Sequence, residues 1–228
     1  MSRDVTPAAE NPTTRQEEQE RGILFVISSP SGGGKGTLIR RVLPVVPRLG
    51  YSVSWTTRQP RAGELDGIHY HFVTLEDFAA ARDGGEFLEW AVVHGNCYGT
   101  SRRTVEAELA AGRDIILEID VQGAASVRRA GLDAASVFII PPSFEILRER
   151  LIARSSETPE NLALRLLNSR AEVEQYREFD YVLLNDDVER ASAQLAAIVY
   201  AERARRVRQE HLAGRVLATF PEHPPHIL

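Results

Sequence analysis

Residues 22–39 read GILFVISSPSGGGKGTLI. The opening part, residues 22–29, is an apolar run rich in β-branched side chains that ends at small residues, the pattern of a strand buried on both faces of a parallel sheet. Residues 37–46 carry apolar and basic positions at helical spacing, with Pro44 bending or ending the helix. Between strand and helix lie Ser31, Gly32, Gly33, Gly34, Lys35 and Gly36. Such small residues let the backbone wrap phosphate oxygens, and the helix N-terminus adds aligned N–H donors. Lys35 supplies a mobile positive charge where β- and γ-phosphates would sit. The usual G-x-x-x-x-G-K-[ST] spacing is kept with two departures: Ser29 stands at its first glycine and Gly36 at its final hydroxyl. Thr37, one residue later, is left to serve a Mg²⁺ ion or a phosphate. The motif implies a nucleotide and does not name the reaction.

The same alternation continues along the chain. Strands are expected at 51–55, 86–93, 114–119, 136–140 and 181–184, and helices at 100–111, 122–130, from Ser143, 161–176 and 188–209. Thr74, with Asp77 three positions on, marks a further short helix start. Strands separated by helices give an α/β fold with a mostly parallel sheet covered on both faces. The polar, Gly- and Pro-punctuated stretch after Trp55 is long enough to form a separate small unit.

Composition narrows the function classes. The 228 residues are 43% hydrophobic and 26% charged, with 27 Lys and Arg against 32 Asp and Glu. A net charge of −5 offers no global attraction to nucleic acid or to a membrane surface. The single cysteine, Cys97, excludes an intramolecular disulfide framework. No apolar run approaches the length of a membrane span. Residues 1–20 are polar and acidic and lack the apolar centre of a signal peptide, so a disordered arm is expected there. The proline-rich 217–228 is expected to trail over the surface.

Five further segments carry a resemblance: SVSWTTRQPRAGE (52–64), EFLEWAVVHGNCYGT (86–100), LEIDVQG (117–123), RLIAR (150–154) and LNDD (184–187). With the phosphate loop, and in this order, they resemble the bacterial guanylate kinases over most of the chain. That resemblance implies a P-loop nucleoside-triphosphate-binding core (21–53 and 101–216), an inserted GMP-binding unit (54–100) and a lid (148–165). It implies ATP and GMP as substrates, Mg²⁺ as cofactor and a cytoplasmic setting, with no nucleic-acid, membrane or obligate protein partner. Lys35 and the lid residues Arg150, Arg154 and Arg165 are then expected at the transferring phosphates.

The acceptor roles also have a physical logic. Arg58 and Arg61 present planar forks suited to a phosphate, and Tyr70 and Tyr98 donate hydroxyl hydrogen bonds without adding charge. Guanine needs an acceptor for its N1–H and amino group, which Glu89 supplies, while Ser54 and Thr100 donate to O6 or complete the network. Adenine reverses that edge and would leave buried polar groups unmatched. The resemblance makes Asp120 an acceptor-site residue, beside a helix-capping alternative, and has Glu118 hold water around Mg²⁺. It places Asn185 near adenine, with Asp186 or Asp187 as a helix cap. Glu64 either contacts the phosphate or supports the arginines by a salt bridge. His69 and His71 are too few for zinc. Ser155 and Cys97 depart from the family's glycine and tyrosine. A phosphopeptide-binding module without catalysis is the competing reading; Gly34 and Lys35, together with Arg58, Arg61, Glu89 and Arg154, favour the enzyme.

Overall fold

A computed structural model describes residues 21–61, 63–93, 95–153 and 159–222. Arg154 and Ser155, residues 1–20 and the last six residues lie outside them. The chain enters through β1 (Leu24–Ser28), buried at every position, and α1 (Lys35–Val42), which stops before Pro44. β2 (Leu49–Tyr51) follows. Then come β3 (Trp55–Thr56), β4 (His71–Phe72), α2 (Leu75–Asp83), β5 (Phe87–Val93) and β6 (Asn96–Ser101). The alternation resumes with α3 (Arg102–Ala110), β7 (Asp114–Glu118), α4 (Val121–Arg129) and β8 (Ala134–Ile140). It ends with α5 (Phe144–Ala153), α6 (Pro159–Glu174), β9 (Tyr181–Leu184), α7 (Val188–Arg203) and α8 (Arg206–Leu217). Among the described residues no helix is long and apolar enough to cross a membrane.

Five strands form one all-parallel sheet in the order β2-β7-β1-β8-β9. β1 lies at its centre, and its alternating side chains divide the core. Phe25 and Ile27 join Leu38, Ile39, Leu195 and Val199 of α1 and α7 on one face. Leu24 and Val26 join Val105, Leu109, Ala124 and Val127 of α3 and α4 on the other. Covering on both faces explains the unbroken apolar reading of β1. A second sheet, in the order β4-β3-β6-β5, is mostly antiparallel and packs on α2 through Phe78 and Phe87.

Three expectations change. The strand expected at 51–55 is two strands in different sheets. Ser52 N–H still bonds Ile116 of the core, whereas Ser54 C=O accepts from His71 of the second sheet. Apolar pattern does not reveal that switch of partners. β6 was not expected, because NCYGTS is turn-like in composition; pairing with β5 on one side and β3 on the other makes it a strand. The helix expected at 188–209 breaks at Ala204 and Arg205, where Arg205 adopts φ −57° and ψ 135°. There the buried carboxylate of Glu202 takes Tyr181 Oη at 2.6 Å and Arg205 Nη1 at 3.3 Å, and Gln209 Nε2 donates to the freed Arg203 carbonyl.

Candidate active site

The described functional groups gather at the carboxyl ends of the parallel strands, where such sheets bind ligands. Residues 29–35 leave β1, Glu118 and Asp120 leave β7, and Asn185 leaves β9. Gly34 has φ +92°, which a side chain would strain, and a Cβ there would lie 2.3 Å from Asn185 Nδ2. Gly33 N–H closes a turn onto the Pro30 carbonyl at 2.9 Å. Asn185 Nδ2 donates to the Gly33 carbonyl at 2.8 Å, tying that acceptor to β9. α1 has no acidic residue in its first turn and a glycine at its N-cap, so its first N–H groups are available to an anion. Lys35, at the start of α1, lines the adjacent cavity.

The opposite wall of that cavity is the second sheet. Arg58 Nη2 meets Glu64 Oε1 at 2.9 Å, and its guanidinium stacks over Tyr70 and Phe72 at 5.3 and 5.8 Å. Arg61 N–H donates to Glu64 Oε2 at 2.7 Å. Burial opposes ionisation of Glu64, yet the Arg61 N–H and the Arg58 guanidinium outweigh it and hold the carboxyl below its ordinary range. Glu64 is therefore a brace for both arginines, the supporting role of its two alternatives. Burial, with the Glu118 charge, pushes the Tyr70 hydroxyl up to about 12, so it stays protonated as a donor.

Glu89 is 6% exposed and accepts the Thr100 hydroxyl at 2.6 Å. Burial pushes its carboxyl up to about 7, the Thr100 bond opposes the shift, and the Asp120 charge adds to it. A Cβ on Gly123 would lie 2.7 Å from Glu89 Oε2, so the first turn of α4 is open only because residue 123 has no side chain. Asp120 caps that turn through Oδ1 to Gly123 N–H at 2.9 Å and also lines the cavity.

A buried carboxylate, an arginine pair and a phosphate-type loop around one cavity are what the sequence resemblance requires. The guanylate kinase family model matches residues 21–202. This chain belongs to the guanylate kinase family. The guanylate kinase of Chelativorans sp. (strain BNC1) is 49% identical over 207 residues, covering 90% of this chain and 95% of that relative. That of Agrobacterium fabrum is 49% identical over 205 residues, with 90% and 93% covered. The crystal structure of guanylate kinase from Anaplasma phagocytophilum superposes with a TM-score of 0.74 at 33% identity, over 90% of this chain and 98% of that one.

In this guanylate kinase family member, Ser31, Lys35, Glu118, Asp120 and Arg165 line the same cavity as Ser54, Arg58, Arg61, Tyr70, Glu89 and Tyr98. Thr100 stands behind Glu89, bonded to it. Arg150 sits over the loop: Nη2 donates to the Asn185 carbonyl at 2.9 Å, and the buried Nη1 has no partner and would lie 3.8 Å from a Cβ on Gly34. Two expected residues stand elsewhere. Thr37 is on the exposed face of α1 and outside the cavity lining. Asn185 is 5% exposed with its side-chain nitrogen spent on Gly33, so it braces the loop instead of offering that donor to adenine. Asp187, not Asp186, caps α7, through Oδ1 to Arg190 N–H.

Two residues at the site were missed. Tyr51 donates to Glu118 Oε2 at 3.1 Å, and burial first, then the Glu118 charge, raises its hydroxyl well above the ordinary range. Glu172 of α6 lines the cavity and accepts Ser31 N–H at 2.9 Å. Its spacing of seven from Arg165 puts both on one helix face and could have signalled it. His69 Nδ1 accepts from Leu65 N–H, and no group of three metal-ligating side chains occurs among the described residues.

Proposed function

We infer that this chain transfers the γ-phosphoryl group of ATP to GMP or dGMP, giving ADP and GDP. The carrying observation is the buried Glu89, backed by Thr100, in one cavity with Lys35 and Arg58. Guanine N1–H and its amino group donate to Glu89. Because the Thr100 hydroxyl is already given to Glu89, the donor left for O6 is Ser54. Arg58, Arg61, Tyr70 and Tyr98 hold the GMP phosphate, and Asp120 borders the acceptor. The loop N–H groups of residues 31–36 and Lys35 hold the ATP phosphates, with Asn185 keeping the Gly33 carbonyl turned aside. A GMP phosphate oxygen attacks the γ-phosphorus while its bond to the β-bridging oxygen breaks. That oxygen is already anionic, so no protein base is needed, and alignment and charge screening carry the catalysis. Arg150 and Arg165, with Arg154, supply positive charge between the two nucleotides.

The donor set suits Mg²⁺, which prefers oxygen ligands and retains waters. Either Glu118 oxygen would lie within 3.4 Å of a Cβ on Gly36, so a hard carboxylate stands beside the loop where the usual hydroxyl is missing. Glu118 would hold the ion through water, and the ion when bound screens the β- and γ-phosphate oxygens. Core, inserted acceptor unit at 54–100 and lid at 148–165 are the parts this reaction uses, in a cytoplasmic setting.

Release of ADP, measured with GMP, dGMP, AMP, CMP and UMP in turn, should be fast for the two guanine nucleotides and slow for the rest. Equal rates for all five would remove the base assignment. No transfer to any of them, with phosphopeptide binding instead, would make the chain a binding module.

A further inference from the structure

Glu172 is the acidic side chain of the cavity that the transfer reaction does not use. It projects from α6, whose Arg165 Nη1 also reaches Ser31 Oγ at 3.4 Å. The loop is thus held from two sides by contacts of opposite consequence. Asn185 binds a loop carbonyl, an acceptor that would repel phosphate, so its bond is compatible with an occupied loop. Glu172 Oε2 binds a loop N–H at 2.9 Å, a donor of the kind that phosphate oxygens need. A carboxylate oxygen and a phosphate oxygen compete for one N–H, and they repel each other in a cavity where charges are poorly screened. Lys35 and Arg165 line the same cavity, and of its carboxylates Glu172 is the one that accepts a loop N–H.

We propose that Glu172 is a built-in competitor for the phosphate loop: it holds the Ser31 amide in the nucleotide-free chain and is displaced by the ATP phosphates. Glu172 and Arg165 share a face of α6, two turns apart, and both contact Ser31, Glu172 at its amide and Arg165 at its hydroxyl. ATP binding and the position of α6 are coupled through one amide. Apparent ATP affinity is lowered by the fraction of molecules in which Glu172 is seated. This rests on the reading of residues 31–36 as the ATP site.

The experiment is calorimetric titration of Mg·ATP without acceptor, for the full chain and its Glu172→Ala and Glu172→Gln variants, each with and without Lys35→Ala. Loss of a charge-assisted bond to a backbone donor should tighten ATP binding by about three- to thirtyfold in Glu172→Ala. Glu172→Gln keeps an oxygen acceptor but no charge, and should tighten it less. Unchanged or weaker affinity in the alanine variant would overturn the proposal and make Glu172 a brace. Lys35→Ala should weaken ATP in every background; if it does not, the loop assignment fails and this inference falls with it. Hydrogen exchange of the wild-type Ser31 amide, measured without nucleotide, is independent of how the variants fold. Protection is expected, and an amide exchanging at the rate of open backbone would overturn the proposal.

Discussion

At the scale of single residues, Glu89 carries two opposing demands. The proposed guanine contact needs it ionised, and its burial favours the neutral acid. Its carboxyl moves from 4.5 to about 7 on folding, so the folded chain binds this proton more tightly than the unfolded chain does. The stability that the bound proton contributes is complete below pH 4.5 and is lost as pH rises through about 7. Above pH 8 the buried charge costs about 3 kcal/mol relative to a neutral isostere. Glu89→Gln should therefore be more stable than the parent by roughly that amount at pH 8–9 in urea unfolding, and equal to it near pH 4. The same variant opposes an amide donor to guanine N1–H or to its amino group. Its kcat/KM for GMP should fall by roughly ten- to several-hundredfold, with ATP affinity little changed. Glu86→Gln is the charge-matched control in the same segment, and equal, small effects at both positions would remove Glu89 from the base site. Glu89 was legible from the motif around it. Its partner arrangement was not: the Thr100 hydroxyl points to Glu89, a choice made by side-chain geometry across two paired strands.

At the scale of elements, the first turn of α4 shows how a helix start is shared between its own cap and a neighbouring carboxylate. Asp120 caps the turn, and Gly123 leaves room for the Glu89 carboxylate that arrives from β5. In isolation Gly123→Ala should favour the helix by up to about 1 kcal/mol. The new methyl group would lie 2.7 Å from Glu89 Oε2 and 3.2 Å from Ile119 Cβ, so the carboxylate must move. We expect kcat/KM for GMP to drop by about tenfold or more while ATP affinity is retained, since only the acceptor contact is disturbed. Unaltered GMP kinetics in Gly123→Ala would show that Glu89 does not need its present position. The helix start at Thr74 was readable from local side-chain chemistry, and Ser101 and Asp187 cap where the reading left Thr100 or Ser101 and Asp186 or Asp187 open. Strand β6 was not, because what makes it a strand is pairing on both sides by distant segments.

At the scale of the whole molecule, the core joins α7 to the sheet through Glu202, whose buried carboxylate takes the Tyr181 hydroxyl from edge strand β9. Tyr181→Phe should cost about 1–2 kcal/mol in urea unfolding and leave kcat with ATP and GMP unchanged, because the pair lies outside the cavity. A large loss of kcat would mean that this junction positions the site. The amino-acid sequence by itself determined the parallel core and the glycine-rich turn between β1 and α1, because burial on both faces of a strand and small residues before a helix start are local patterns of residue type. Tertiary structure alone decided that 51–55 divides between two sheets, that Asn185 braces Gly33, that Tyr51 meets Glu118 and that Glu172 takes the Ser31 amide. Each of these is a bond between segments separated in the chain, and hydrogen-bond partners at that distance are chosen by packing geometry, which composition and periodicity do not encode.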